Sequence, residues 1–286
     1  MAGGVGVGAV GDGFPIAVAA VQAASATGSV MGAVDEEGGR VQRFEAMLGS
    51  MPSAAEMAAL PVDAVQAMAT ERAEALVELG VTVDLAPVLD VGGSPGIGDR
   101  SFSDDPEVVS THGIAFAEGL MAGGLVPVVK HFPGHGRANA DSHDELATTP
   151  PLDELWEVDL LPFVLTPDGA AGMVGHLAVP GLTGGVPATL SPVAVTGLLR
   201  GDLGFDGVVV TDMKASLLHR PTVAVETPAV PATLVQRVST WYDEKSRPAE
   251  ALPVHQDTID RDVLESLCGL YVAITRAARD VVVQVD

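Results

Sequence analysis

Residues 125–129 form an apolar run that ends abruptly in polar residues, and this boundary constrains the fold more than any other feature of the chain. Lys130 and His131 follow the run directly, and residues 133–136 then form a loop rich in Pro and Gly. Such a pattern is typical of a buried strand that leads into a functional loop. In (β/α) barrels, the loops after the C-terminal ends of the strands contain the active site. We therefore expect residues 130–143 to contribute to a site rather than to an ordinary surface loop.

Similar apolar runs recur along the chain as far as about residue 215. Each run ends in a polar or charged residue, and helical patterns at 54–79 and 106–121 lie between the runs. Strands that alternate with helices predict a parallel α/β architecture. Counting a short Gly-rich run at the start of the chain, the predicted strands span residues 4–10, 29–34, 81–88, 125–129, 171–174 and 207–210.

A (β/α)8 TIM barrel explains this pattern better than a doubly wound sheet. Polar residues follow every predicted strand, whereas a doubly wound sheet binds its ligand at one switch point. The last two strand–helix units are not recognisable, so we expect a barrel that is incomplete or irregular after the sixth strand. The composition changes near residue 216, where Pro, Val and Thr become frequent. We predict a barrel domain at 1–215 and a divergent C-terminal segment of unknown role at 216–286.

The composition argues against several classes of partner. The formal net charge of -23 disfavours binding to nucleic acids or anionic membranes through a basic surface. The single cysteine, Cys268, excludes an internal disulfide and a cysteine-based zinc site. The first basic residue is Arg40, and no apolar run reaches the roughly 20 residues that span a bilayer. We therefore expect a cytoplasmic protein.

Two acidic positions and one histidine are candidates for catalysis. Asp212 follows the apolar run at 207–210, where a carboxylate can act as a nucleophile or as an electrostatic stabiliser, although a helix N-cap is the alternative. His143 stands two residues after Asp141. A carboxylate at this spacing can orient an imidazole and raise its basicity for proton transfer near neutral pH.

The cations near the predicted strand ends are candidates for ligand binding. Arg43, Arg100 and Lys130 are scarce positive charges in an acidic chain, and we expect them to contact ligand oxygens. The acidic residues at 35–37 suit either sugar hydroxyls or a hard cation. The following Gly-Gly-Arg supplies a turn and a cation instead of further metal ligands, which favours the sugar.

A zinc site is a second metal alternative. His131, His135 and His143 are ligands that zinc accepts. Lys130 beside them would repel a metal ion.

Several motifs in a fixed order resemble glycoside hydrolase family 3, in particular the β-N-acetylglucosaminidases that trim cell-wall muropeptides. The resemblance covers roughly residues 29–215 and leaves the C-terminal segment unmatched. The motifs are DEEGGRVQR at 35–43, GDRSF at 98–102, KHFPGHG at 130–136, DSH at 141–143 and GFDGV at 204–208 before the Thr-Asp pair at 211–212.

The resemblance implies a retaining hydrolase that removes terminal β-linked N-acetylglucosamine from muropeptide fragments without a metal or an organic cofactor. Asp212 would be the nucleophile, and His143, paired with Asp141, would be the general acid/base. The terminal sugar would contact six further residues, namely Asp35, Arg43, Arg100, Lys130, His131 and His176.

Two alternatives stay open. The first is a β-glucosidase or a glycoside phosphorylase of the same family that uses the same pocket, and the second is a catalytically inactive or truncated barrel that at most binds sugar. Asp212 runs directly into Met213-Lys214-Ala215, whereas the family usually has another acidic residue and a short Gly-containing loop there. Residues 265–277 resemble the last conserved motif of superfamily 1 DNA helicases but lack a Walker A partner. We interpret them as a fused or coincidental end, with a packed amphipathic helix over 259–279 as the simpler alternative.

Overall fold

A five-stranded parallel sheet forms the centre of the computed structural model, which describes residues 31–142 and 145–212 and the short strands at 270–271 and 283–284. Each strand of this sheet lies beside the one that precedes it along the chain, and all pairs are parallel. This is the order of a (β/α) barrel wall, because a doubly wound sheet reverses direction at its switch point. The strands are β1 (Ala33–Val34), β2 (Val83–Asp84), β3 (Val126–Phe132), β5 (Ala171–Val174) and β7 (Val209–Thr211).

Two small strand pairs accompany the main sheet. β4 (Ala147–Thr148) pairs in parallel with β6 (Leu177–Ala178) above the C-terminal ends of β3 and β5. β8 (Leu270–Tyr271) pairs in antiparallel fashion with β9 (Val283–Gln284), within the segment predicted to be divergent. A helix over 259–279 is therefore wrong at Leu270–Tyr271. The predicted strand at 4–10 lies outside the described residues, and the boundary at residue 215 stays a prediction.

Helices surround the main sheet. The short ones turn the chain between strands, and the long ones cover the outer face. They are α1 (Glu45–Leu48), α2 (Ala54–Met57), α3 (Val62–Glu78), α4 (Pro106–Ala122), α5 (Leu152–Glu157), α6 (Leu161–Val164) and a π-helix (Val193–Asp202), with 3-10 turns at Gly98–Arg100 and Ala188–Leu190.

The single helix predicted at 54–79 is wrong, because the structure divides it into α2 and α3. Ser53 begins α2 with a capping box, in which its side chain accepts from the Glu56 N–H and the Glu56 carboxylate accepts from the Ser53 N–H. Pro61 then occupies the N-cap of α3. A proline disfavours helical backbone at the residue before it, so α2 cannot continue through Leu60.

The end of β3 also differs from the sequence prediction. The strand continues through Lys130 and His131 to Phe132, where the prediction placed the start of the loop. Both polar side chains are almost fully buried. They tolerate burial because acidic partners from other parts of the chain neutralise or bind them, as described below. The predicted helix at 106–121 is confirmed as α4, which Asp105 caps and Pro106 begins.

The helices α3 and α4 pack closely against each other on the outside of the sheet. A Cβ atom at Gly119 of α4 would contact the Gln66 carbonyl oxygen and would lie 2.7 Å from Ala69 Cβ, both on α3. A Cβ at Gly123 would similarly meet Ala73 Cβ at 2.5 Å. The missing side chains let the two helix backbones approach and bury Phe116 and Leu76 beneath them.

We expect Gly119→Ala to lower the free energy of unfolding by about 1–3 kcal/mol, because the added methyl must push α3 and α4 apart. The greater helix propensity of alanine, about 1 kcal/mol, opposes this loss without cancelling it. Urea denaturation followed by circular dichroism measures the difference. Gly197→Ala is the matched control, because a Cβ there has its nearest neighbour at 3.8 Å. A Gly119→Ala variant as stable as the control would contradict the close packing.

Within the described residues, no helix combines the length and the apolar composition needed to cross a bilayer.

Candidate active site

The C-terminal edge of the main sheet brings the predicted site residues together. Asp35 follows β1, Lys130 and His131 lie near the C-terminal end of β3, and Asp212 follows β7. Because these strands are parallel, the ends all lie at one edge. Only β5 separates β3 from β7, which corresponds to about 10 Å between their axes. Residues far apart in the sequence thus line one region.

A network of two carboxylates and two cations lies between β1 and β3. Lys130 Nζ is 2.6 Å from Asp35 Oδ1 and 2.6 Å from Glu37 Oε1. Arg100 grips Glu37 with two parallel bonds, from Nη2 to Oε1 at 2.7 Å and from Nε to Oε2 at 2.8 Å. Such bidentate pairing is the strongest ion-pair geometry that side chains offer. Among the four side chains, Asp35 has the largest exposed fraction, 16%.

The network determines the protonation of its buried members. Burial alone would raise the pKa of Glu37, but the effect of Arg100 and Lys130 is larger and brings this pKa well below its usual value. Burial alone would lower the pKa of Lys130, yet Asp35 and Glu37 raise it above its usual value. Glu37 likewise outweighs burial at Arg100 and raises its pKa. Glu37, Lys130 and Arg100 therefore stay charged at neutral pH.

Asp90 binds the residues at the end of β3 and in the loop that follows it. Its Oδ2 lies 2.7 Å from His131 Nδ1, and its Oδ1 accepts from the backbone N–H groups of His131 at 3.2 Å and His135 at 2.6 Å. Burial raises the pKa of Asp90, but the contacts with His131 and His135 lower it more. A carboxylate in this position fixes the ring orientation of His131 and the path of the loop beyond it.

Arg43 stands apart from the ion network. Its backbone N–H donates to Glu36 Oε2 at 2.7 Å, and its half-buried side chain lies close enough to lower the pKa of Glu36. Glu36 also accepts from Arg72 Nη1 at 3.3 Å, while burial raises its pKa overall. Its own N–H donates to Asp84 Oδ1 at 3.0 Å. Burial raises the pKa of Asp84 well above its usual value.

His176 and Asp212 occupy the ends of neighbouring strands. The Asp212 backbone N–H donates to the Val174 carbonyl oxygen at 2.8 Å, which continues the ladder between β5 and β7. His176 Nδ1 lies 2.8 Å from Thr189 Oγ1. Burial lowers the pKa of His176, and the nearby charge of Asp212 partly opposes this effect. The side chains of His176 and Asp212 are therefore close enough to interact electrostatically.

The loop after β3 brings Asp141 towards the same edge. Asp141 lies against Gly96, where a Cβ atom would be 2.7 Å from Asp141 Cγ. The Glu145 N–H donates to the Asp141 carbonyl oxygen at 3.2 Å. His143 itself lies outside the described residues, so its pairing with Asp141 stays a prediction.

Sequence reasoning missed two residues that hold the site together. Asp90 is not among the predicted site residues, although it follows the predicted strand at 81–88 after one apolar residue, which was a signal that it lies near a strand end. Glu37 was considered only as part of an acidic cluster with metal as one alternative. Among the described residues, no three His, Cys, Asp or Glu side chains are grouped as metal ligands, and the zinc alternative depends on His143.

Comparison with known families agrees with this arrangement. The model of the glycosyl hydrolase family 3 N-terminal domain matches residues 15–234. The chain belongs to glycosyl hydrolase family 3. The match includes β1 to β7 and all the described site residues, so the resemblance found in the motifs is confirmed.

Several curated relatives of the family 3 chain are named β-hexosaminidases. β-Hexosaminidase LpqI of Mycobacterium tuberculosis is 49% identical over 191 residues, which are 63% of this chain and 49% of LpqI. A family 3 glycosyl hydrolase of Mycobacterium smegmatis is 50% identical with a TM-score of 0.62, over 64% of this chain and 60% of that one. The family 3 chain thus spans about half the length of the curated relatives it matches.

A third relative has a sugar derivative bound. NagZ of Neisseria gonorrhoeae, solved with N-trifluoroacetyl-D-glucosamine, is 33% identical with a TM-score of 0.66, over 70% of this chain and 62% of NagZ. Together with the chain-ordered parallel sheet, these matches confirm the predicted TIM-barrel-like fold.

We expect Glu37→Gln to lower the free energy of unfolding by about 3–5 kcal/mol, because Lys130 and Arg100 would lose a buried counter-charge. Urea denaturation at pH 7 measures the loss. Glu71→Gln removes the same charge from an exposed position in α3 and should change stability by less than about 0.5 kcal/mol. Equal stability of the two variants would contradict the structural importance of the network.

We expect the stability difference between the parent and Glu37→Gln to depend on pH. The folded-state pKa of Glu37 lies below its usual value of 4.5. Its stabilising effect is therefore complete above the unfolded pKa and is lost as the pH falls towards the folded pKa. The stability difference between the parent and Glu37→Gln should be constant from pH 7 to about 5 and should shrink below about 4.5. A difference that grows on acidification would contradict this assignment.

Proposed function

We propose that this chain is a retaining glycoside hydrolase that releases terminal β-linked N-acetylglucosamine from cell-wall muropeptide fragments. The main support is that the Asp35–Lys130–Glu37–Arg100 network and the Asp212 carboxylate lie at one edge of a family 3 sheet. The relatives named β-hexosaminidase support the sugar and the reaction.

The ion network is suited to binding a sugar. Asp35 is its most exposed member and offers carboxylate oxygens to hydroxyl groups. Lys130 and Arg100 already use some of their N–H groups on Asp35 and Glu37, which fixes their direction before a ligand arrives. The bound N-trifluoroacetyl-D-glucosamine in NagZ supports an acylated amino sugar as the ligand of this pocket. We propose that the pocket has three further wall residues, namely Arg43, His131 and His176.

Asp212 would begin the reaction as the nucleophile. Its carboxylate attacks the anomeric carbon and forms a glycosyl–enzyme ester, while the bond from that carbon to the leaving oxygen breaks. His143, as the imidazolium, gives its proton to the leaving oxygen at the same time. Asp141 would orient this ring and stabilise its positive charge.

The second step reverses these roles. Neutral His143 takes a proton from water, whose oxygen attacks the anomeric carbon and displaces Asp212 as a carboxylate. Two inversions at one carbon give net retention of configuration. A histidine suits both transfers because its pKa is about 6.5 and its neutral form does not repel Asp212.

The parent chain should release 4-nitrophenol from 4-nitrophenyl β-N-acetylglucosaminide, and NMR should show the β-anomer as the first sugar product. Asp212→Asn should abolish this release because an amide is a poor nucleophile. His143→Ala should reduce kcat by about 10²–10⁴-fold, the usual contribution of a general acid/base. The steady-state kinetics of the three proteins measure these effects.

Asp168→Asn is the matched control and should retain full activity. Asp168 is an exposed carboxylate just before β5, at the opposite edge of the sheet. Activity that survives both Asp212→Asn and His143→Ala would refute the assignment of the site. Initial release of the α-anomer would refute the retaining mechanism.

The alternatives give different outcomes in the same assay. A β-glucosidase would prefer the β-glucoside, and a phosphorylase would need inorganic phosphate and release a sugar 1-phosphate. A soluble, monodisperse parent that binds N-acetylglucosamine without hydrolysis would support an inactive or truncated barrel. The cytoplasmic location and a role in peptidoglycan recycling are part of this proposal and rest on the sequence alone.

A further inference from the structure

His135 joins the loop after β3 to the loop after β2 through a chain of hydrogen bonds. The Ser142 N–H donates to His135 Nε2 at 3.2 Å. On the other side of the ring, His135 Nδ1 lies 3.2 Å from Ser94 Oγ. The Ser94 hydroxyl also lies 2.7 Å from the His135 carbonyl oxygen. The imidazole is almost completely buried between the two loops.

These contacts specify the direction of every bond in the Ser94–His135–Ser142 chain. A backbone N–H can only donate, so Nε2 must accept and has no proton. The carbonyl oxygen of His135 can only accept, so the Ser94 hydroxyl donates to it. Ser94 Oγ is then free to accept from Nδ1–H. The chain therefore needs a neutral imidazole with its proton on Nδ1.

The surroundings favour this neutral form. Burial lowers the pKa of His135 and outweighs the opposite effect of Asp90. The neighbouring His131 lowers the pKa as well, while Asp141 raises it.

The same two loops fit together with almost no free space. The Ser94 N–H donates to the Gly136 carbonyl oxygen at 2.9 Å. A Cβ at Gly92 would lie 3.0 Å from that oxygen, and a Cβ at Gly96 would lie 2.7 Å from Asp141 Cγ. Residues 92–98 thus form a seat for the loop after β3.

The seat is itself held by Arg100 of the ion network and by Arg40. Arg100 Nη1 donates to the Gly96 carbonyl oxygen at 3.1 Å, while its other nitrogens bind Glu37. Arg40 Nη2 donates to the carbonyl oxygens of Gly96 at 3.1 Å and Ile97 at 2.8 Å. A continuous path of contacts therefore connects the ion network to Asp141 and Ser142.

We propose that Ser94 and His135 are positioning residues that hold the Asp141–Ser142 backbone, which directly precedes His143 in the chain, beside the pocket. This inference rests on the proposed function, because that function gives His143 its role as acid/base. Neither residue contacts Asp35, Lys130 or Arg100 through its side chain in the described hydrogen bonds. They act on proton transfer and leave sugar binding unchanged.

Two substitutions at His135 separate its two hydrogen bonds. The amide nitrogen of asparagine lies near the position of Nδ1, so His135→Asn keeps the bond to Ser94 and loses the acceptor for Ser142. The longer glutamine side chain places its oxygen near the position of Nε2, so His135→Gln keeps the acceptor. We expect kcat to fall about 10²-fold in His135→Asn, as for a catalytic group displaced by about 1 Å, with KM unchanged within about twofold. His135→Gln should retain more of the parent kcat than His135→Asn.

Ser94 provides a rescue experiment. Ser94→Ala removes the hydroxyl that orients the ring and should lower kcat without raising KM. Ser94→Thr keeps the hydroxyl and should restore most of the lost kcat. Ser50→Ala removes an exposed hydroxyl outside the site and should leave kcat at the parent value. Equal kcat in Ser94→Ala and Ser94→Thr, or a loss that appears in KM alone, would overturn the positioning role.

Hydrogen–deuterium exchange tests the chain without any catalytic readout. Residue-resolved mass spectrometry should show a protected Ser142 amide in the parent, in His135→Gln and in Ser94→Thr. The amide should exchange faster in His135→Asn and Ser94→Ala while amides in β3 and α4 keep their protection. Fast exchange in the parent, or no difference among the variants, would overturn the inference. An inactive parent that still shows this exchange pattern would refute the proposed function and leave the hydrogen-bonded chain established.

Discussion

A single buried ammonium group connects the separate parts of this molecule. Lys130 in β3 lies between Asp35 after β1 and Glu37, which Arg100 in turn grips from the loop after β2. A buried charge without partners costs several kcal/mol, so Lys130 can lie inside the sheet only when β1 and that loop are in place. The partners are 95 residues apart for Asp35 and Lys130 and 63 apart for Glu37 and Arg100. The network can therefore form only when β1, β3 and the loop after β2 are arranged as in the folded barrel wall.

A second layer of acidic side chains extends this principle beneath the pocket. Asp90 receives two backbone N–H groups and the His131 ring, and so determines how the chain leaves β3. Glu36 plays a comparable part after β1, where it binds Arg72 and the backbone N–H of Arg43. These buried residues fix the backbone and the side chains next to the pocket. Positioning of this kind is what a binding site needs from its supporting residues.

The local sequence predicted the edge of the sheet where the site lies, because each apolar run ends in polar residues and parallel strands align their ends. The structure brings three of the predicted pocket residues, Asp35, Arg100 and Lys130, into one ion network. The sequence prediction ended β3 too early, since Lys130 and His131 look like loop residues until their distant acidic partners are known. It joined α2 to α3 because helix propensity is high on both sides of Pro61. Asp90, Ser94 and His135 have roles that arise from tertiary contacts and leave little trace in a local pattern.

The dual use of the ion network affects how related sequences should be interpreted. Asp35, Arg100 and Lys130 are ligand-binding candidates, yet together with Glu37 they also hold the sheet. Selection for a folded chain would retain all four in a descendant that had lost its nucleophile and no longer turned over any sugar. Their presence in a homologue is therefore evidence of a shared fold. Evidence that the homologue is catalytically active must come from positions that do not stabilise the sheet.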